Sequence, residues 1–293
     1  MKHEMYDIVT IGHVTNDVLN DRGEVSRFIG GAAYFSSFAA KRSGARILVL
    51  TKLARKDFGL LYGLNEQGIE VIALPGIHTT SIENIFETED ADRRKVRLLS
   101  QAEPFRLEEI PDVQTEIFNL AGLFYGDIPQ EMIEPLSRKA RVGLDLQCML
   151  RSSREGNFSW NDWPEKQEYL PYITYLKADS LESRVITGTE DRRESAVMLH
   201  GWGASEVLIT HSSEALLYDG KKLFTAPFNP SNLSGRTGRG DTCFAAYMTR
   251  RLKRGPEESL WYAAALTSIK MEKPGPFEGT IDEVLQRMEE LRS

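Results

Sequence analysis

The sequence predicts an α/β protein built on a doubly wound, mainly parallel sheet that carries a small β lid. Two observations carry this expectation. Short β-rich runs alternate with helix-compatible segments along most of the 293 residues, which is the rhythm of repeated βα units. Between residues 79 and 102 the rhythm breaks, and apolar and polar residues alternate about a charged centre, as in an antiparallel hairpin with one wet face.

The elements follow in order. Asp7-Ile8-Val9-Thr10-Ile11-Gly12 is β-rich and ends in glycine, the pattern of a buried parallel strand before a loop. A polar stretch leads to Phe28-Ile29 and Gly30-Gly31, and the small and aromatic residues that follow predict a buried helix over 32–42. A strand over 46–50, a helix over 58–66 and a strand over 70–74 come next. In the hairpin, Ile82, Ile85, Val96 and Leu98 alternate around Glu89-Asp90-Ala91-Asp92-Arg93-Arg94. A hairpin set among βα units is a candidate lid over a site; the segment alone fits a surface hairpin outside any site equally well. Beyond Pro104, strands are expected over 120–125, 142–145, 172–177 and 206–210, then an edge hairpin over 215–224 turning at Asp219-Gly220. The charged tail over 281–292 has helical spacing and packs outside the core. The core then takes residues 1–13, 31–76 and 104–293, and the lid 14–30 and 77–103.

Composition limits the function. Hydrophobic residues at 41% supply a full core, and the net charge of -7 lacks the basic excess of a nucleic-acid binder. One locally positive site can still hold phosphates on such a surface. Cys148 and Cys243 form no CxxC pair, so neither a zinc ribbon nor a disulfide scaffold is expected, and both should be reduced and buried. The N-terminus shows no signal-peptide core, and no apolar run approaches the ~20 residues of a membrane span. The expectation is a cytoplasmic protein with neither nucleic-acid nor membrane partners.

The richest stretch is Arg236-Thr237-Gly238-Arg239-Gly240-Asp241-Thr242, which precedes the helix-compatible run from Cys243 to Met248. Glycines before a helix let backbone amides face an anion, and a helix N-terminus favours negative charge. An aspartate there can accept the proton of an attacking hydroxyl. It also fits an ordinary N-cap, the commoner role of aspartate after glycine. The stretch is not a Walker A loop, and Cys243 stands where a dinucleotide fingerprint needs its third glycine.

This segment resembles the D-T-T-G-A-G-D signature of the ribokinase-like (PfkB) carbohydrate kinases. Other parts resemble that family in order: Gly12 and Asp17, the pair Gly30-Gly31, Asp57-Phe58-Gly59, and Gly68-Ile69-Glu70-Val71. The resemblance spans nearly the whole chain and implies a ribokinase-like three-layer fold. It implies a Mg2+- and ATP-dependent kinase for a small polyhydroxylated acceptor, a sugar, polyol or cyclitol. Asp241 would be the catalytic base, and the amides of Gly238, Arg239 and Gly240 the anion hole. Asp17, Gly30 and Gly31 would hold the acceptor. Asp179 and Glu182 resemble the N-x-x-E element that organises magnesium, while Lys177, Thr210 and Ser212 lie at the nucleotide-binding strand ends. The lid either pairs with a partner's lid in a homodimer, as in some relatives, or stays alone.

The sequence also departs from the family. Asp179 replaces asparagine, adding a charge that either strengthens metal binding or repels a triphosphate. Gly235 replaces an aspartate linked to a monovalent-cation site, so potassium activation is not carried over. Arg239 replaces a small residue and either faces a phosphate or lies in solvent. Ser212 and Ala215 replace glycines of the nucleotide loop. Asp145 and Arg151 fit substrate contacts or a loop ion pair alike. Arg93, Arg94 and Arg97 are read as a solvated cluster, and His13 and His211 as hydrogen-bonded structural residues. The stretch from Lys270 to Phe277 receives no chemistry. Two alternatives stand beside the sugar kinase: a nucleoside kinase of the same fold, and a catalytically silent sugar- or nucleotide-binding protein.

Overall fold

The computed structural model describes residues 5–86 and 95–293. The chain opens with β1 (Met5–Ile11), makes a hairpin of β2 (Thr15–Asp21) and β3 (Glu24–Gly30), and enters α1 (Ala32–Arg42). β4 (Ile47–Ala54), the short α2 (Tyr62–Glu66) and β5 (Glu70–Gly76) follow. β6 (Ser81–Phe86) and β7 (Lys95–Ser100) form a second excursion. Next come β8 (Gln114–Leu120), α3 (Ile133–Ser137), β9 (Arg141–Asp145) and α4 (Gln147–Leu150), then a third excursion of β10 (Arg151–Arg154) and β11 (Asn157–Trp160). α5 (Lys166–Tyr169), β12 (Tyr175–Asp179), α6 (Ser180–Thr187), α7 (Arg192–Gly201) and β13 (Glu206–Thr210) return to the core. β14 (Glu214–Tyr218), β15 (Leu223–Pro227), α8 (Arg239–Arg251), α9 (Pro256–Met271) and α10 (Ile281–Arg292) complete it.

Among the described residues the main sheet has nine strands in the order β15-β14-β13-β12-β9-β8-β1-β4-β5. All neighbours are parallel except the two antiparallel pairs that β14 makes at one edge. Strand side chains alternate between faces, and both faces are covered. Ile8, Ile47 and Val49 pack toward α1, α8, α9 and α10, while Val9, Leu48 and Leu50 pack toward α3, α6 and α7. That explains why these strands read as continuous apolar runs. α1 is buried from Ala32 to Ala40 because it packs against both the sheet and α8; its small residues permit the close approach.

The second sheet runs β10-β11-β7-β6-β2-β3, antiparallel except for the β2–β6 pair. Ile82, Leu123 and Phe124, with Val96, Leu98 and Phe158 against them, join it to the core. The sequence reading built the lid from two segments and left 151–160 in the core. The structure pairs those residues in the lid sheet, with Asn157 opposite Arg97. Both extra strands are four residues long; β10 is wholly polar, and the alternation of β11, with Phe158 and Trp160, is too short to stand out. The expected strand over 120–125 is displaced to β8. Asp127 accepts the N–H groups of Leu123 and Phe124, both at 2.9 Å, and turns that apolar run out of the ladder. The hairpin centre from Glu89 to Arg94 lies outside the described residues.

Both cysteines are buried and unpaired. Among the described residues, no helix is long and apolar enough to cross a membrane. Leu144, fully buried on central β9, tests the two-sided core. Leu144→Ala is expected to cost ~2–5 kcal/mol, read as a lower urea midpoint; an unchanged midpoint would mean that this face is not packed as described.

Candidate active site

The ends of β12 and β13, the start of α8 and the underside of the lid enclose a cleft of about 320 Å³. Its position outside the carboxyl ends of parallel strands follows the general rule for such sheets.

α8 begins without a side-chain cap. Gly238 holds the N-cap position with φ 78°, a left-handed conformation in which glycine is unstrained. A Cβ there would also run into the ring of Phe35. The helical ladder starts with the Thr242 N–H on the Gly238 carbonyl at 3.0 Å, so the amides of Gly240 and Asp241 are not used by it. Asp241 is therefore not the cap. It sits inside the first turn with its carboxylate lining the cleft, and its pKa is raised to about 6 by burial and by the charge of Asp145, against the pull of Lys177, Arg151 and Lys270.

Beneath it lies a cluster of charges. Lys177, on β12, is buried and donates to Asp145 Oδ1 and Oδ2 at 3.0 and 3.1 Å and to Glu182 Oε2 at 3.4 Å. Burial alone would lower the Lys177 pKa, but Asp145, Glu182, Asp179 and Asp241 push it well above the ordinary lysine value. Asp179 and Glu182 form a reciprocal cap at the start of α6, with Glu182 N–H on Asp179 Oδ1 at 2.8 Å and Asp179 N–H on Glu182 Oε2 at 2.6 Å. Glu182 is completely buried and its Oε1 has no hydrogen-bond partner. Burial raises its pKa to about 8; Lys177 opposes that rise, and Asp179 and Asp145 add to it.

The opposite wall belongs to the lid. Asp17 Oδ1 accepts the Ile82 N–H at 2.9 Å. Burial raises the Asp17 pKa to about 6 although that bond, Thr15 and Arg151 pull it down. Gly30 lies directly behind this carboxylate, where a Cβ would overlap Asp17 Oδ2. Arg151 lines the cleft with Nε on the Leu123 carbonyl at 2.8 Å. Its guanidinium packs 4.5 Å from the centre of the Phe124 ring and 4.9 Å from that of Phe158.

The structure thus brings Asp17, Gly31, Lys177, Asp179, Thr210, Gly238, Arg239, Gly240 and Asp241 to one cleft. Gly30 and Glu182 stand buried behind it. Ser212 is exposed on the loop after β13 beside His211 and is not part of the cleft lining. Sequence reasoning left Arg151 and Asp145 open between substrate contact and loop ion pair: Arg151 lines the cleft, and Asp145 pairs with Lys177. It passed over Lys270, whose ammonium hydrogen-bonds the carbonyls of Gly235 and Thr237. Burial pushes the Lys270 pKa down to about 8, while Asp241 pulls it up. A lone lysine late in an apolar helix was the available signal. His13 is buried, bonded to the Glu103 carbonyl at 3.1 Å and stacked on Phe105, as a structural histidine should be.

Among the described residues, no set of three or more His, Cys, Asp or Glu side chains forms a metal cage. A magnesium ion that keeps its waters and the donor's phosphates needs only one or two carboxylates. Asp179, which lines the cleft, fits that need. Glu182, with no exposed oxygen, fits as the group that orients Asp179.

A family model described as pfkB family carbohydrate kinase matches residues 4–282. The chain is 27% identical over 268 residues to a cytidine kinase of Thermococcus kodakarensis, covering 87% of this chain and 91% of that relative. Its structure is similar to that of a pyrophosphate-dependent kinase in the ribokinase family complexed with a pyrophosphate analog and myo-inositol. That match has a TM-score of 0.88 and 34% identity, over 95% of this chain and 99% of the other. It also shares the fold of Arabidopsis thaliana ribokinase complexed with ribose and ATP, at TM-score 0.76 and 19% identity, over 97% and 99% of the two chains.

A base must be ionised to accept a proton, so kcat/KM is expected to fall as pH drops through about 6, the value to which Asp241 and Asp17 are raised. Asp241→Asn should lower kcat by roughly a hundred- to ten-thousand-fold while the thermal midpoint is kept. Near-normal turnover in that variant, or an acid limb in the ordinary carboxylate range, would remove Asp241 from the chemistry.

Proposed function

The chain belongs to the pfkB family of carbohydrate kinases and is a phosphotransferase; from that premise we propose that its acceptor is a cyclitol and its donor is pyrophosphate. The observation that carries this reading is the pair Arg236 and Arg239, which bracket Gly238 and line the cleft on the side of the α8 N-terminus. Guanidinium groups bind phosphate oxygens in pairs. Two of them beside a helix N-terminus suit a small donor whose recognition rests on charge alone. The expectation of ATP leaned on Lys177, Thr210 and Ser212; Lys177 and Thr210 line the cleft, and Ser212 does not. The acceptor side is small and polar, with the Asp17 carboxylate and the Arg151 guanidinium placed for ring hydroxyls. The similarity to a pyrophosphate-dependent kinase complexed with myo-inositol supports the same pairing.

In this reading Asp241 accepts the proton of the reacting hydroxyl. The acceptor oxygen bonds to phosphorus as the bond to the departing phosphate breaks. The α8 amides hold the charge on the transferred group, which in a loose transition state is the main catalytic demand. A magnesium ion entering with the donor would meet Asp179 and neutralise phosphate charge. Lys177 keeps Asp145 paired and draws Asp241 toward its ionised form.

A nucleoside acceptor is the second reading, favoured by a specific feature. A cavity of about 700 Å³ adjoins the cleft, shares Phe35, Asn84 and Thr237 with it, and presents Phe28, Tyr34 and Pro276. Those side chains suit a flat base, and one relative is a cytidine kinase.

Phosphorus NMR of reactions that combine pyrophosphate or ATP with myo-inositol, ribose or cytidine separates these readings. Pyrophosphate with myo-inositol should turn over faster than any other pair by about tenfold or more. Arg239→Met should raise the donor KM by about tenfold with the acceptor KM unchanged. Faster turnover with ATP would overturn the donor assignment, and preference for cytidine would overturn the acceptor assignment.

A further inference from the structure

The loop from Ser234 to Gly238 sets the direction of the amides that open α8, and it is tied to the end of α9. The Gly235 N–H donates to the Met271 carbonyl at 2.8 Å, and the Ser234 hydroxyl donates to the Glu272 carbonyl at 2.8 Å. Gly235 lies so close to α9 that a Cβ would overlap the Lys273 carbonyl. Between these ties sits Lys270, only 2% exposed. Its Nζ donates to the Gly235 and Thr237 carbonyls and lies 5.2 Å from the centre of the Phe35 ring. Phe35 is also the ring against which Gly238 packs.

A buried ammonium normally has a carboxylate against it. Among the described residues no carboxylate forms an ion pair with Lys270; its bonded partners are backbone carbonyls and its neighbour is the face of an aromatic ring. Carbonyl oxygens converging on one positive point are the ligand set that proteins offer to a bare monovalent cation, and aromatic faces attract cations as well. We propose that the Lys270 ammonium is a tethered substitute for a monovalent cation, positioning the phosphate-binding loop so that donor binding needs no free potassium or ammonium ion. Its hold on the carbonyls of Gly235 and Thr237 fixes the peptide planes that lead into Gly238. It also leaves a positive charge close to Asp241 and the transferred group. Lys270 is a positioning residue, since it reaches the donor only through the loop. The inference rests on the reading that the start of α8 binds the donor's phosphates.

Two measurements on the intact protein test it. The wild-type rate is followed at constant ionic strength in sodium, potassium, ammonium and tetramethylammonium salts, and should vary by less than about twofold. Strong dependence on potassium or ammonium would overturn the proposal without any variant. Calorimetry then compares wild type with Lys270→Met, which keeps the bulk and removes the charge, using methylenediphosphonate and a non-hydrolysable ATP analogue as donor probes. Whichever probe the wild type binds is the reference, so failure of the pyrophosphate assignment leaves this test standing. Affinity for that probe should fall by about tenfold or more, with acceptor affinity and thermal midpoint retained. Unchanged donor affinity, or equal loss of donor and acceptor binding, would reduce Lys270 to a packing residue. If Lys270→Met does not fold, the salt series on the wild type decides alone.

Discussion

Four carboxylates, those of Asp145, Asp179, Glu182 and Asp241, act on the buried ammonium of Lys177, and the site depends on that balance. The groups come from four elements, with Asp145 ending β9, Lys177 and Asp179 on β12, Glu182 on α6 and Asp241 on α8. Removing the Lys177 charge would leave these carboxylates buried without their shared partner, which costs far more than a surface pair contributes. The cluster therefore locks the register of these elements beneath the cleft while keeping a carboxylate at its mouth. Its electrostatics divide the labour. Asp145 is paired directly with Lys177, Glu182 is pushed up to about 8, and Asp241 is left near 6. A base in that range is ionised at neutral pH and is stronger than an ordinary carboxylate.

Above this cluster the backbone does as much as the side chains. α8 starts on a left-handed glycine with no capping side chain; the Arg239 N–H is taken by the Arg236 carbonyl at 3.3 Å, and the helical ladder begins only at Thr242, so of the expected anion-hole amides that of Arg239 is already used. The lid meets them from the other side, with Asp17 backed by Gly30 and braced by the Ile82 amide. In the proposed reading the acceptor is held by the lid sheet and the donor by the end of the main sheet. Arg151 spans the seam between these layers because β10 belongs to the lid sheet while its Nε is bonded to the Leu123 carbonyl.

Much of this was legible in the sequence where burial is two-sided and local. The strand over 206–210 and the helix over 32–42 fall where their composition puts them, because continuous apolar runs and small-residue helices have few alternatives. The glycines around Asp241 marked the centre of the site. Other features were hidden for physical reasons. β8 ends early because Asp127 takes two amides of the run that follows it, a local side-chain competition for the backbone that hydrophobic periodicity does not record. β10 and β11 are short, and β10 is wholly polar, so their place in the lid is set by pairing with β7, distant in sequence. Lys270 is bonded to carbonyls, and a carbonyl acceptor leaves no mark on residue identity.

The central claim is that burial and the charge of Asp145 raise Asp241 against the pull of Lys177. Carbon NMR of side-chain carboxyls, with Asp241 assigned by substitution, follows its titration in the wild type and in Lys177→Met. The account predicts a wild-type midpoint of about 6 that moves upward in the variant, because the neighbouring positive charge has gone. A midpoint of about 4, the ordinary aspartate value, unmoved by loss of Lys177, would contradict it.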